Sequence, residues 1–163
     1  MGASGWHYFA PFQPDIKAAL DKLRDDVFAK GDYLKPALFY GALMHQVGDQ
    51  LEPNVIDEIN SAIEDFKNRP APQSIEELIE MNAEMGTHSI IDMYDISEKP
   101  GMGKISPMPE DMLINLFGTH QPNHFQIESK VDEMFKSITA CYYVLVYKND
   151  KPEEIFFIGF SGD

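Results

Sequence analysis

Tyr142-Tyr143-Val144-Leu145-Val146-Tyr147 and Ile155-Phe156-Phe157-Ile158-Gly159-Phe160 flank Lys148-Asn149-Asp150-Lys151-Pro152. The two runs are rich in β-branched and aromatic residues, and the link between them is a turn-former. They predict a β-hairpin with a loop longer than two residues. Both runs are almost continuously apolar. A sheet with one wet face would alternate apolar and polar, so these strands are expected in the middle of a sheet covered by helices. Cys141, the only cysteine, abuts the first run and has no activating base nearby. It reads as a small buried hydrophobe rather than a nucleophile.

Upstream the pattern alternates between short strands and amphipathic helices. Trp6 to Ala10 reads as a first strand. Pro14 and Asp15 then open a helix with Ile16, Leu20, Leu23 and Val27 on one face, stopped by Gly31. A short helix after Pro36, using Leu38, Phe39, Leu43 and Met44, is interrupted by Gly41 and Gly48. Asn54 caps a helix running to about Phe66, and Pro70 and Pro72 form a linker. Ser74 and Glu77 match a capping box for a helix over 75–85 ended by Gly86. Thr87 to Tyr94 reads as a strand. Ser97 to Pro107, with two glycines and two prolines, reads as a mobile loop. A short helix from Pro109 ends at Gly118, residues 119–124 form a polar turn, and one helix carries Ile127, Val131, Met134, Phe135 and Ile138. The expectation is a single α+β domain over residues 1–163: a mostly antiparallel sheet of about four strands with helices packed against it.

Charge is the feature that points outward. From Asp49 to Glu84, ten acidic residues face two basic ones, Lys67 and Arg69, a local charge of −8 within a total of −14. Helical spacing places Asp57, Glu58, Glu64 and Asp65 opposite the aliphatic face of the first of these helices. Glu76, Glu77, Glu80 and Glu84 take the outer face of the second. A solvated face is the ordinary role of such acids. Yet Glu76, Glu80 and Glu84 repeat at i, i+4 with no lysine between them, which costs a few tenths of a kcal/mol per pair. These eight residues are therefore the candidate docking surface for a basic protein partner, such as a toxin domain. The acid excess argues against nucleic acid and anionic membranes as partners. No run approaches the ~20 apolar residues of a membrane span, and the N-terminus lacks the features of a secretory signal. A cytoplasmic location is expected.

Chemistry-bearing motifs are absent. His120-x-x-x-His124 has the spacing of a helical zinc pair but lacks the usual glutamate, and Pro122 between the two opposes a helix. Gly101-Met102-Gly103-Lys104 lacks the spacing of a phosphate-binding loop, and Ser4 sits on no strand-to-helix elbow. No metal, cofactor or catalytic residue is assigned. A second reading stays open: a small-molecule or enzyme pocket lined by Trp6, His7, Tyr8, His88, Tyr94 and His120.

Gly2-Ala3-Ser4-Gly5-Trp6, Gly86-Thr87-His88-Ser89-Ile90 and Glu154-Ile155-Phe156-Phe157 resemble stretches of a family of small bacterial proteins to which no activity attaches, so that resemblance implies no site residues. In size, acidity and lack of catalytic motif the chain is also similar to bacterial immunity proteins, which neutralise a toxin inside the producing cell. That similarity implies inhibition of a basic toxin enzyme.

Overall fold

A computed structural model describes residues 4–35, 40–41, 44–45, 50–83 and 85–161. The helix expected after Pro36 falls mostly outside the described residues. The hairpin stands where its apolar runs require. Strand β4 (Tyr142–Lys148) and strand β5 (Lys151–Ser161) pair antiparallel, and β1 (Ser4–Pro11) pairs antiparallel on the other side of β5. The turn is tighter than its composition suggested. Lys148 pairs with Lys151, and the two residues between, Asn149 and Asp150, have φ of 51° and 59°. Asn and Asp accept this left-handed geometry more readily than other L-residues, and it suits a two-residue hairpin. A register shift at Val146/Tyr147 leaves Glu153 outside the ladder as a bulge.

The sheet is mixed and has five strands, in the order β1-β5-β4-β3-β2, rather than being mostly antiparallel with about four. The correction comes from β2 (Asp95–Ile96) and β3 (Lys104–Pro107), which pair parallel to each other, and from β3, which pairs parallel to β4. Part of the expected loop over 97–107 is therefore strand. Gly103 serves a close approach: it has φ 66°, and a Cβ there would fall 1.9 Å from Cε1 of the Tyr94 ring. The chain returns from β3 to β4 through three helices, the long crossover that a parallel pair needs.

The strand expected over 87–94 is a turn with a 3-10 segment at Ile90–Asp92. Side chains there satisfy the backbone locally and compete with a ladder. The Ser89 hydroxyl accepts from the Ile91 amide (3.3 Å). Both Asp92 carboxylate oxygens accept from the Thr87 amide (2.9 and 3.0 Å). Thr87 and Ser89 hydroxyls bond each other at 2.9 Å. Ile90 and Ile91 are thereby driven into the core, both fully buried.

Helices cover both faces of the sheet. On one lie α1 (Ile16–Lys30), capped by Asp15 and closed by Gly31 in the left-handed conformation, together with α3 (Ile75–Met81) and the 3-10 segment. Leu20, Leu23, Val27, Leu78, Ile90 and Ile91 meet Trp6, Ala10, Ile105, Ile155 and Phe157 there. On the other face, α4 (Glu110–Phe117), α5 (His124–Glu128) and α6 (Val131–Ser137) bring Leu116, Ile127 and Met134 against Tyr142, Val144, Val146, Phe156 and Ile158. The single helix expected from Ile127 to Ile138 is two, broken at Ser129 and Lys130. Ile127 and Met134 are both fully buried on either side of the break.

Helix α2 (Pro53–Asn68) differs from the rest. Its N-cap is Glu52 with Pro53 in the first turn, not Asn54, and no side chain caps it. Proline already lacks one of the orphan donors a cap would satisfy. Of its residues only Ile63 is buried, and Ile63 belongs to neither core cluster. Val55, Ile56, Ile59, Ala62 and Phe66 are half-buried. Helix α3 stops at Met81, short of the expected Met85, because Asn82 leaves helical geometry and is buried.

Candidate functional site

The acidic surface is built by α2 and α3. Amphipathic spacing turns the aliphatic residues of each helix inward, Ile79 excepted, and leaves the carboxylates outside. Asp57, Glu58, Glu64, Asp65, Glu76, Glu77 and Glu80 are all exposed. Glu84 lies outside the described residues. Among the described residues only Glu64 of this group forms an ion pair, with Lys67 at 2.8 Å. Glu77 closes the start of α3: its amide donates to the Ser74 hydroxyl at 3.2 Å. Its carboxylate accepts from the amide of Gln73 at 2.7 Å, one residue before the amide expected of a capping box. Glu76 is held below the usual carboxylate range, first by its own backbone amide and next by Ser74. Ile79, 40% exposed, flanks Glu76 and Glu80 as an apolar point beside the acidic face. At the other end of α2 the Arg69 guanidinium lies 4.8 Å from the centre of the Phe66 ring.

The residues proposed for a small-molecule pocket are dispersed. Successive side chains of a strand point to opposite faces. Trp6 and Tyr8 accordingly pack on the α1 side, and His7 lies on the other against Phe135 and Phe156, with ring centres 6.0 and 5.8 Å away. Trp6 is buried, its indole N–H donating to the Ser161 hydroxyl at 3.1 Å. Tyr8 has its phenol pushed up to about 12 by burial and by the neighbouring Asp32. His88 Nδ1 sits 2.6 Å from the Ser4 hydroxyl. Tyr94 covers Gly103 and donates to the Met102 carbonyl at 3.1 Å. His120 is exposed in the polar turn.

Two open clefts border the sheet. One, of about 670 Å³, includes Tyr94, Asp92, Met102 and Cys141. Burial raises the Cys141 thiol above its ordinary value, and the thiol donates to the Phe160 carbonyl at 3.4 Å. A thiol held protonated in this way is a poor nucleophile. The other, of about 650 Å³, lies at the hairpin end between β1 and α5 and includes Phe9, His124, Phe125, Lys148 and Glu154. There Glu154 Oε2 lies 2.7 Å from His124 Nδ1, and the imidazole stacks on Phe9 with ring centres 4.0 Å apart. This pairing joins residues thirty positions apart. Its only trace in the sequence is one member of the His120/His124 spacing. Among the described residues, no group of three or more His, Cys, Asp or Glu side chains is arranged to hold a metal ion. No described helix is long and apolar enough to cross a membrane.

No protein-family model matches the chain, and neither does any curated protein or solved structure.

Proposed function

We propose that the chain is a cytoplasmic binding protein that docks a basic protein partner on the outer surface of α2 and α3, in the manner of a bacterial immunity protein engaging a toxin domain. One observation carries this reading: the described acids of both helices are exposed, and among the described residues only Glu64 has a basic partner within ion-pair distance. Such a surface speeds encounter with an oppositely charged protein and rejects acidic ones. The exposed Ile79 supplies an apolar anchor, since charge alone rarely provides residence time. The test is capture from host lysate at low and high salt, followed by association kinetics with the captured protein. Glu76→Lys combined with Glu80→Lys is expected to slow association about tenfold while leaving dissociation and the melting temperature nearly unchanged. Failure to capture any basic protein at low salt overturns the reading. A partner whose association ignores the charge reversal removes α2 and α3 from the interface.

A further inference from the structure

The cleft at the hairpin end holds a side-chain arrangement that the acidic surface does not use. A surface histidine normally samples several rotamers. His124, with its side chain 47% exposed, is instead restrained on two sides: Phe9 stacks on the ring and Glu154 binds Nδ1. A carboxylate can only accept, so Nδ1 carries a proton, and in the neutral imidazole Nε2 keeps its lone pair. No hydrogen bond reaches Nε2 among the described residues. The fixed imidazole thus presents a single acceptor atom.

The surroundings narrow what that acceptor would meet. Phe125, next in sequence and lining the same cleft, is 76% exposed. The other charges of the cleft are matched internally, with Lys148 Nζ on Glu153 at 3.1 Å. An anionic ligand would face Glu153 and Glu154. A cation would compete with Lys148 and with the His124 N–H for Glu153 and Glu154. A neutral ring bearing a hydroxyl meets neither obstacle.

We infer that this cleft is a binding site for a neutral phenol, whose hydroxyl donates to Nε2 of His124 while its ring rests against Phe125. A ligand hydroxyl replaces the water bound to Nε2, whereas the same ligand without it covers that acceptor and gives it no donor, so the two bind unequally. The probes are p-cresol and toluene, titrated into the whole chain at about pH 8, above the ordinary imidazole range. The readout is the carbon–proton NMR signals of the histidine and phenylalanine rings. Saturable shifts are expected at His124 and Phe125, with p-cresol binding at least about fivefold more tightly than toluene. Glu154→Gln releases the tautomer lock and should shrink that ratio, and His124→Ala should abolish it. Equal affinity of the two probes for the wild-type chain overturns the inference, as does saturable binding elsewhere or none at all. The wild-type comparison decides the matter even where a variant fails to fold.

Discussion

Strand β5 and helix α2 both carry strong apolar patterns, yet they stand at opposite ends of the molecule's range of burial. In β5 the four residues from Ile155 to Ile158 are 0% exposed. In α2, whose apolar stripe is as clean as any in the chain, only Ile63 is buried. The difference lies in the number of covered sides. A continuous apolar run leaves no face for water, so it demands cover on both. An amphipathic stripe demands one neighbour and says nothing of how closely that neighbour packs. Clean segregation of acid from aliphatic thus marks a helix, while unbroken hydrophobicity marks the centre.

Core truncation in the two regions tests this contrast most strongly. Phe157→Ala is expected to cost about 3–5 kcal/mol, against about 1 kcal/mol for Ile59→Ala in α2, both measured by urea unfolding. Comparable losses would erase the distinction. Next in size is Gly159→Ala. A Cβ there would lie 2.5 Å from Cys141 Sγ and 2.8 Å from Trp6 Cζ2, contacts that the buried sheet cannot relax cheaply. A loss of about 1–3 kcal/mol is expected, and a stabilised variant would show that the centre is looser than drawn.

The smallest effect is alkaline. Tyr8 is raised from 10.0 to about 12 in the folded chain, by burial first and Asp32 second. Its contribution is therefore fully present below about pH 10 and is lost as pH rises through about 12. Burial raises Tyr143, on β4 beyond β5, in the same direction. Thermal melts should fall across that window, and Tyr8→Phe should flatten the fall by roughly 1 kcal/mol once the screening of a half-buried group is allowed for. An alkaline arm unchanged in Tyr8→Phe would place the sensitivity outside β1.

What could be read in advance followed from local chemistry. Apolar runs marked β4 and β5, aliphatic spacing marked α1, and Gly31 and Gly118 marked helix ends. The segment over 87–94 misled because its residues favour strands, while Ser89 and Asp92 capture the backbone amides a strand would have offered. Strand β3 was hidden by the glycines before it, of which Gly103 admits the Tyr94 ring, a contact that no local pattern encodes. The same limit applies to sites. Exposure of Glu58 or Glu80 follows from helical phase. The meeting of Phe9, His124 and Glu154 depends on how three distant elements are brought together, and no spacing encodes it.

The central place of β5 has a further consequence, for the order of events during synthesis. Trp6 and Ser161, 155 residues apart, are joined by a hydrogen bond. Strand β1 emerges from the ribosome among the first residues described, yet its ladder partner follows at the far end of the fold. Helices α4 to α6 are contiguous and can gather early, but the surface they cover is largely supplied by the last hairpin. A nascent chain therefore exposes Trp6, Phe9 and the inner faces of both helical layers until β5 slides between β1 and β4. Folding of this molecule is closed by a keystone, and chaperone demand should peak just before that strand is released.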